Sequence, residues 1–424
     1  MRTFAKTSNH LYYKMQIKIT APSQIESTIQ LPSSKSICNR ALILHTLANG
    51  SSPIGNLSDC DDTRVMIEAM AHRERTIDIM AAGTAMRFLT AFFAIQPDEE
   101  HILTGTERMQ QRPIRILVEA LRTLGADIEY MHQEGFPPIL IKGRKLACQE
   151  VTLPGNVSSQ YISALLMIAP MLPEGLTLKL SGEIISKPYI RLTLKLMRDF
   201  GANVQWDEKS PCIHIAHSPY RDIPYIVESD WSAASYWYEI AALSSQASIR
   251  LPGLLPQSFQ GDSAVAELFE QLGVRTTFDE QGAKLEKTTC NLQRMEYNFV
   301  NQPDLAQTFV VTCTQLGIPF RFEGLQSLKI KETDRMAALI TELGKLGFLL
   351  KEENDSVLSW NGERTAVLSA PAIDTYEDHR MAMAFAPICM KRTDIIINNP
   401  HVVSKSYPHY WEDLKLAGFE IKEI

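Results

Sequence analysis

Six times along the chain, a polar cluster opens a short apolar run with helical spacing. The runs are SKSICNRALILHTLA (34–48), AAGTAMRFLTAFFA (81–94), NVSSQYISALLMIA (156–169), SDWSAASYWYEIAA (229–242), PDLAQTFVVTCTQL (303–316) and EDHRMAMAFAPICM (377–390). Successive intervals between equivalent residues are 47, 75, 72, 74 and 74, measured at Ser36, Gly83, Ser158, Asp230, Asp304 and Asp378. A near-constant period predicts one supersecondary unit that is used repeatedly.

The third run shows what the unit contains. Residues 159–170 have helical spacing, 176–182 alternate at period two like a strand, and 190–204 predict a second helix ended by Gly201. Two further strands follow, in ANVQW and CIHIAH. The same helix–Gly–strand ending recurs in LVEALRTLGADIEY, VAELFEQLGVRTTF, LITELGKLGFLLKE and WEDLKLAGFEIKEI. We therefore expect six α/β units, grouped three and three with the break near 228–230.

Composition is that of a globular protein with ample core material. The chain has 424 residues, 45% hydrophobic and 21% charged, which suits two to three domains. No apolar run approaches the roughly 18–20 residues that span a bilayer. A net charge of −7 argues against nucleic acid as a partner, yet a locally cationic cleft can still attract small anions.

Cysteine and histidine spacing points away from disulfides and metals. The seven cysteines form no CxxC pair, and the ten histidines show no HxxxH or HExxH spacing. The opening MRTFAKTSNHLYYK lacks the apolar segment of a secretory signal. We expect residues 1–14 to be a disordered extension outside the fold, and the protein to be cytoplasmic.

Several helix openings carry groups that bind anions. Lys35, Ser36 and Arg40 stand at a predicted strand-to-helix junction, where free N–H groups and the helix dipole favour phosphate or carboxylate. Gly83, the hydroxyl–amide set of 158–160 and the SKPY turn at 186–189 open further helices. Each of these, taken singly, is equally well explained as an ordinary helix cap.

The stretch IKETDR at 330–335 is the most unusual. Lys331 and Arg335 are four residues apart, which predicts that they share one helical face, with Glu332 beside them. A glutamate beside two cations stays ionised, so it would need a raised pKa to act as a general acid. The alternative is a salt-bridged surface helix.

More cations stand near other openings. Arg108 and Arg112 precede Pro113, which we expect to open a helix at its first position. Arg380 and Lys405 lie in the last two clusters. Seven such cations, with Asp304 and Glu332 among them, suit two substrates that each carry phosphate and carboxylate groups. They are Lys35, Arg40, Arg112, Lys331, Arg335, Arg380 and Lys405.

Nine motifs in fixed order closely resemble the 5-enolpyruvylshikimate-3-phosphate (EPSP) synthase family from about Met15 onward. They are LPSSKSICNRA, AGTAMR, RMQQRPI, SSQY, ISKPYI, PDLAQT, IKETDR, DHRMAM and SKSYP. The resemblance implies a mixed α/β (α+β) fold of two similar domains, each built from three βαβαββ units. The chain would cross twice between them, so that 15–33 plus 230–424 form one domain and 34–229 the other. An active-site cleft would lie between the domains.

The resemblance also implies a reaction. The enolpyruvyl group of phosphoenolpyruvate would pass to the 5-hydroxyl of shikimate 3-phosphate through a tetrahedral intermediate, with release of phosphate and without metal or organic cofactor. Lys35, Asp304 and Glu332 would be catalytic, with Asp304 as base and Glu332 as proton donor. By the same resemblance, shikimate 3-phosphate would contact Lys35, Ser36, Arg40, Ser158, Ser159, Gln160, Ser186, Tyr189, Asp304 and Lys331. Phosphoenolpyruvate would contact Lys35, Gly83, Arg112, Gln160, Arg335, Arg380 and Lys405.

Two positions depart from the family pattern. Ala81 and Ser327 each stand where the family usually has asparagine. The alternative is therefore a catalytically weakened homologue that binds phosphorylated substrates. The related UDP-N-acetylglucosamine enolpyruvyl transferases use a cysteine in a Gly-rich loop, and none of the seven cysteines lies in such a loop. We expect small-molecule substrates only, no nucleic acid or membrane partner, and a monomer.

Overall fold

The computed structural model describes residues 15–367, 371–393 and 395–424. The extension predicted at 1–14 lies outside these described residues. We call 15–33 with 230–424 the terminal half, and 34–229 the inserted half. No helix in the described ranges is long and apolar enough to cross a bilayer.

The elements alternate between helix and strand along both halves. The helices are α1 Lys35–Leu47, α2 Asp61–His72, α3 Gly83–Ala94, α4 Glu107–Gln110, α5 Arg115–Thr123, α6 Ser159–Ile168, α7 Lys187–Asp199, α8 Trp231–Leu243, α9 Val265–Gln271, α10 Ala306–Leu316, α11 Arg335–Lys345, α12 His379–Phe385 and α13 Tyr410–Leu416. Short 3₁₀ helices include Pro303–Leu305, Gln326–Ile330, Ala386–Met390 and Pro400–Lys405.

The strands are short. In the terminal half they are β1 Gln16–Thr20, β2 Ile25–Thr28, β13 Ala247–Leu251, β14 Val274–Asp279, β15 Gly282–Lys287, β16 Met295–Asn298, β17 Phe320–Glu323, β18 Lys351–Glu353, β19 Val357–Trp360, β20 Ala372–Ile373, β21 Ile395–Asn398 and β22 Glu420–Glu423. In the inserted half they are β3 Ile54–Gly55, β4 Thr76–Asp78, β5 Glu100–Thr104, β6 Asp127–Tyr130, β7 Ile139–Lys142, β8 Glu150–Pro154, β9 Leu176–Ser181, β10 Val204–Trp206, β11 Cys212–Ile215 and β12 Tyr225–Ile226.

The strands form three sheets in each half, which confirms the predicted fold class. Five sheets have four strands, in the orders β20-β21-β1-β22, β14-β15-β13-β2, β16-β17-β19-β18, β4-β5-β7-β6 and β10-β11-β9-β8. In the unit from β4 to β7, β4 pairs parallel with β5, while β7 pairs antiparallel with both β5 and β6. Parallel strands need a helical crossover, so the unit reads βαβαββ. The sixth sheet contains only β3 and β12.

Helix positions follow the sequence pattern closely. All six predicted opening helices are present, and glycines end several of them: Gly201 follows α7 with φ +90° and Gly317 caps α10 with φ +72°. These left-handed conformations favour glycine, which has no Cβ to clash. Two predicted boundaries were wrong. Helix α7 starts at Lys187 rather than at residue 190, and Pro113 precedes α5 by two residues instead of opening it.

Each half has its own hydrophobic core. One core draws on residues 17–31 and 231–419, and the other on residues 37–227. The two chain crossings run side by side, because Ser33 bridges Ser229 in antiparallel register and the Asp230 N–H donates to the Pro32 carbonyl at 2.9 Å. On these observations we propose that the two halves are the two domains.

One core residue is an acid. Glu239 in α8 is fully buried, and neither of its carboxyl oxygens has a hydrogen-bond partner among the described residues. The neighbouring Thr312 hydroxyl donates instead to the Thr308 carbonyl at 2.7 Å. Burial raises the pKa of Glu239 well above its ordinary value, and Thr312 offsets this only in part. The folded protein therefore keeps a proton on this carboxyl at pH values where the unfolded chain has lost it.

A neutral buried Glu239 makes folding stability depend on pH. In the unfolded chain the Glu239 carboxyl ionises at about pH 4.3, the ordinary glutamate pKa. Between this pH and the higher pKa of the folded protein, the free energy of unfolding falls by about 1.4 kcal/mol for each pH unit. We expect Glu239→Gln to remove this slope, so that the variant gains on the wild type between about pH 5 and about pH 7. Urea unfolding of the variant and the wild type at both pH values measures this difference in the free energy of unfolding. Exposed Glu280→Gln is the control, and parallel curves for Glu239→Gln would contradict the assignment.

Candidate active site

A cavity of about 360 Å³ lies where the two halves meet. Helices α1, α3, α6 and α7 of the inserted half and α8, α11 and α12 of the terminal half begin at or beside its wall. Helix N-termini present unpaired N–H groups and a partial positive charge. Eight lysine and arginine side chains line the cavity against four carboxylates, so its wall is cationic although the chain is acidic.

The cavity brings together fifteen of the sixteen residues predicted from sequence. They are Lys35, Ser36, Arg40, Gly83, Arg112, Ser158, Ser159, Gln160, Ser186, Tyr189, Asp304, Lys331, Glu332, Arg335 and Arg380. Lys405 stands behind this wall. Its Nζ lies 2.8 Å from Glu332 Oε1 and donates to the Ala81 carbonyl at 2.9 Å, so it reaches from the terminal half to the inserted half.

Asp304 is held by cations on both carboxylate oxygens. Its Oδ1 lies 3.1 Å from Arg335 Nη1 and 3.6 Å from Lys331 Nζ, and its Oδ2 lies 3.1 Å from Arg380 Nη2. The Tyr189 hydroxyl also donates to Oδ2 at 3.2 Å. Burial would raise the pKa of Asp304, but the three cations outweigh it and hold the pKa well below its usual range. Asp304 is therefore ionised in the resting site.

Glu332 is also ionised at rest. Its Oε2 lies 2.9 Å from Arg335 Nη2, and its Oε1 contacts Lys405. Burial opposes ionisation, but Lys405, Arg335 and Arg112 together lower the pKa of Glu332 well below its ordinary value. This confirms the expectation that a glutamate in the IKETDR stretch stays charged until its surroundings change.

Arg335 is anchored from behind by a carboxylate that sequence reasoning did not assign. Arg335 Nε donates to Asp378 Oδ2 at 2.7 Å, and both side chains are almost completely buried. Asp378 also caps α12 by accepting from the Arg380 N–H at 2.9 Å. One carboxylate thus orients two arginines of the site. Burial alone would lower the pKa of Arg335, but Asp378, Glu332 and Asp304 raise it.

Lys35 has a comparable anchor. Its Nζ lies 3.1 Å from Asp62 Oδ2, at the start of α2. Burial would lower the pKa of Lys35, but Asp62, Cys60 and Glu332 together outweigh it and raise the pKa above its ordinary value. Lys35 is therefore a permanent cation at the cavity wall. Lys331 differs, because burial lowers its pKa despite the nearby Asp304.

Two buried arginines face the cavity without a carboxylate partner. Arg40 is 2% exposed and donates only to neutral groups, namely Thr193 Oγ1 at 2.7 Å, the Ser36 carbonyl at 2.9 Å and Ser163 Oγ at 3.0 Å. Arg112 is 9% exposed and leaves Nε unpartnered. In the described part of the chain neither forms a salt bridge. A buried charge without a counter-charge is costly, so both arginines suit an anionic ligand.

Position 83 requires a glycine because the Arg112 guanidinium lies against it. A Cβ at Gly83 would stand 2.6 Å from Arg112 Nη1 and 2.9 Å from its Cζ. The glycine therefore lets the guanidinium lie on the first turn of α3. Any side chain at this position would displace the arginine from the wall.

Hydroxyls and an amide complete the inserted-half wall. Ser158 caps α6 by accepting from the Gln160 N–H at 3.4 Å, and Gln160 Nε2 donates to Thr84 Oγ1 at 3.0 Å. Ser186 precedes α7 with φ +53°, a left-handed conformation that is unusual for serine. Its N–H donates to the Val300 carbonyl of the terminal half at 3.2 Å, so this turn is held from across the cleft.

The prediction that Lys331 and Arg335 share a helical face was wrong. The 3₁₀ helix ends at Ile330 and α11 begins only at Arg335. Residues 331–334 form an irregular turn, and its last residue, Asp334, caps α11. Lys331 and Glu332 reach the cavity from this turn. The surface-helix alternative is excluded as well, since Arg335 is 1% exposed.

Several site residues were not assigned from sequence. Asp61 and Asp62 lie in the first turn of α2. Acidic residues are common at helix starts, so the sequence did not distinguish Asp62. Arg87 lies one turn after Gly83 and donates to its carbonyl at 3.1 Å; burial, with nearby Arg112, lowers its pKa to about 10. Asp230 marked a repeat opening but carried no role, and burial raises its pKa to about 6 against the pull of Arg380. The one signal in the sequence that could have placed Asp230 in the cavity is its position at a repeat opening.

The two departures from the resembled pattern have clear positions. Ala81 contributes its backbone carbonyl to Lys405, and Ser327 lines the cavity. Neither contacts Asp304 or Glu332 through an ion pair or hydrogen bond in the described ranges. In the same ranges, no three His, Cys, Asp or Glu side chains are grouped so that they could hold a metal ion.

Comparison with known proteins agrees with this geometry. The model of the EPSP synthase (3-phosphoshikimate 1-carboxyvinyltransferase) family matches residues 19–76 and 70–414. A 3-phosphoshikimate 1-carboxyvinyltransferase of Bacteroides fragilis (strain YCH46) is 60% identical over 96% of this chain and 99% of the relative. One from Vibrio cholerae (strain M66-2) is 35% identical over 92% and 96%. The EPSP synthase structure from Acinetobacter baumannii superposes with a TM-score of 0.78 at 19% identity, covering 96% of this chain and all of that one.

The Arg335–Asp378 pair should be strongly stabilising because both partners are buried. Breaking a buried pair by neutralising one partner leaves an uncompensated charge, so we expect Asp378→Asn to lower the free energy of unfolding by about 3 kcal/mol. Asparagine keeps the cap on α12. Urea unfolding measures the change.

The matched control is the exposed pair in which Arg250 lies 2.7 Å from Asp279. Asp279→Asn should leave stability within the error of the measurement, because solvent screens exposed pairs. Equal effects of the two substitutions would show that Asp378 is not a structural anchor.

Proposed function

The chain belongs to the EPSP synthase (3-phosphoshikimate 1-carboxyvinyltransferase) family, and we propose that its cavity carries out the family reaction with the residues described above. The enolpyruvyl group of phosphoenolpyruvate passes to the 5-hydroxyl of shikimate 3-phosphate, and phosphate leaves. The observation that carries the residue assignment is the pair of buried arginines, Arg40 and Arg112, neither of which forms a salt bridge among the described residues. They lie on α1 and just before α5, so they suit two separate anionic groups.

Shikimate 3-phosphate binds against the inserted half. Its phosphate takes the place of a counter-ion for Arg40 and Lys35, with donors from the first turns of α1, α6 and α7. These helix starts contribute Ser36, Ser158, Ser159, Gln160 and Ser186. Tyr189 lines the ring, and its hydroxyl bonds Asp304 at 3.2 Å. Asp304 and Lys331 of the terminal half hold the 4- and 5-hydroxyls.

Phosphoenolpyruvate binds between the two halves. Arg112, placed on Gly83, contributes from the inserted half, together with Lys35 and Gln160. Arg335, Arg380 and Lys405 contribute from the terminal half. Guanidinium groups pair with phosphate and carboxylate through two parallel hydrogen bonds, which fixes the orientation as well as the position of the ligand.

The chemistry needs one base and one acid on opposite sides of the reacting carbon. Asp304 accepts the proton of the 5-hydroxyl, whose oxygen bonds C2 of phosphoenolpyruvate while Glu332 delivers a proton to C3. The product of this step is a tetrahedral phospho-ketal. Loss of phosphate then breaks the bond between C2 and the phosphate ester oxygen, and the proton held by Asp304 passes to the leaving phosphate. A proton returns from C3 to Glu332, so that both carboxyl groups regain the protonation states with which the step began.

The resting charges explain how Glu332 acquires its proton. Without substrate, Lys405, Arg335 and Arg112 hold Glu332 ionised. An incoming phosphate and carboxylate compete for these same cations, which removes the attraction that lowered the pKa. Exclusion of water then favours the neutral acid. Substrate binding thus raises the pKa of the donor at the moment when a proton is needed.

The alternative of a catalytically weakened binding protein has little to support it. Lys35, Asp304 and Glu332 are all present with charged partners at 3.6 Å or less. The departures at Ala81 and Ser327 leave those contacts intact. That the protein is a cytoplasmic monomer that uses no cofactor stays a prediction.

The direct test is release of inorganic phosphate from purified protein given shikimate 3-phosphate and phosphoenolpyruvate. Release should require both substrates, and omission of either one should abolish it. Calorimetry with shikimate 3-phosphate alone identifies the binding-protein alternative, for which binding would persist while phosphate release is absent.

Glu332→Gln should uncouple binding from chemistry. Glutamine keeps the size of the side chain but cannot donate the proton, so we expect kcat to fall by about 10²–10⁴-fold. Binding of shikimate 3-phosphate should persist, measured by calorimetry. Exposed Glu296→Gln is the control. Near-normal turnover in Glu332→Gln would refute the assigned role.

A further inference from the structure

Arg108 has no part in the roles described so far, yet it reaches across the cleft. It lies on α4 in the inserted half, and its side chain contacts the terminal half. Its Nε donates to the Glu332 carbonyl at 3.0 Å, and its Nη2 donates to the Lys331 carbonyl at 3.3 Å. One guanidinium thus holds two consecutive peptide carbonyls that are more than 220 residues away in sequence.

Those two carbonyls belong to the irregular turn at 331–334. The turn separates the 3₁₀ helix Gln326–Ile330 from α11, and Lys331 has an extended backbone with ψ −152°. Among the described residues no backbone N–H donates to the Lys331 or Glu332 carbonyl. Without a helical or strand ladder, the turn depends on other contacts for its position.

The same two residues point their side chains toward the site. Lys331 Nζ lies 3.6 Å from Asp304, and Glu332 bonds Arg335 and Lys405. The carbonyls of this turn therefore face the inserted half while its side chains face the cavity. Moving the carbonyls would move the charged groups with them.

Other contacts across the cleft do not hold the backbone carbonyls of the turn, although Lys405 also pairs with the Glu332 side chain. Ser404 Oγ donates to Asp61 at 2.5 Å, and Lys405 donates to the Ala81 carbonyl. These contacts tie the Pro400–Lys405 segment to α2 and to the residues before α3. They can keep the halves together without Arg108, so the effect of Arg108 on the turn can be tested separately.

We propose that Arg108 is a positioning residue, which places the Lys331–Glu332 turn for proton transfer only when the two halves have met. Its two donors lie in a fixed fork that matches two adjacent carbonyls, whereas a lysine offers one rotating ammonium group. Closure of the cleft and placement of the proton donor are then a single event. This inference rests on the proposed function, because it assigns Glu332 as the donor.

The first test is steady-state kinetics of Arg108→Ala and Arg108→Lys. We expect kcat to fall about 10- to 100-fold in both, because a small misplacement of a reacting group has a large effect on rate. The KM values for both substrates should change less than about threefold, since Arg108 is not among the residues that line the cavity. Added guanidinium ion should restore part of the kcat of Arg108→Ala.

The control is Arg75→Ala. Arg75 is exposed like Arg108 but pairs at 2.9 Å with Glu100 in the same half. Its kinetics should match the wild type. An unchanged kcat in Arg108→Ala would overturn the proposal. So would a large rise in the KM for phosphoenolpyruvate at constant kcat, which would make Arg108 a substrate-binding group.

A second measurement does not depend on activity. Hydrogen exchange of the peptide that contains 331–334 should be about tenfold faster in Arg108→Ala than in the wild type, because the turn opens locally more often. Unchanged exchange would overturn the inference whether or not the wild type releases phosphate. If exchange is faster in Arg108→Ala but the wild type itself releases no phosphate, the positioning contact is supported and the proposed function is refuted.

Discussion

The Arg335 guanidinium lies between three carboxylates, and the rest of the cleft depends on that arrangement. Asp378 orients it from the core, while Asp304 and Glu332 meet it from the cavity side. A buried arginine is tolerable only because these groups compensate its charge. In return, the arginine helps to keep both cavity carboxylates ionised, together with Arg380 and Lys331 at Asp304 and with Lys405 at Glu332. Removing Arg335 would leave Asp378 without its guanidinium partner, while Asp304 and Glu332 would keep only their contacts with Lys331, Arg380 and Lys405.

This balance also explains why an acidic protein can attract anions. The negative net charge is spread over the whole chain, whereas the cavity gathers cations at the helix starts. Arg40 and Arg112 contribute the excess of positive charge, since Arg335 and Arg380 already pair with carboxylates. A ligand phosphate can therefore pair with these two arginines without displacing a protein carboxylate, whereas it must compete with Asp304, Glu332 and Asp378 for Arg335.

Much of the fold could be predicted from the sequence because its signals are local. The polar openings mark true helix starts, and the glycine endings mark true helix ends, since both depend on a few neighbouring residues. The residues of the cavity were predictable because several stand at equivalent points of a repeat and because the nine ordered motifs resemble one family. The turn at Lys331 was not, because four-residue spacing fits a helix whether or not one forms. Asp62 and Asp378 were missed because their roles depend on partners that only folding brings near.

The side-by-side crossings at Ser33 and Ser229 have a consequence for how this chain is connected. Bridged residues in antiparallel strands have Cα atoms about 5 Å apart. The chain therefore leaves the terminal half and returns to it at almost the same point. In terms of connectivity, 34–229 is a complete insertion between β2 and α8, and excising it would leave ends that a peptide bond or one short residue can join. Each half retains its own core, so the chain could be cut and rejoined at this junction without opening either core.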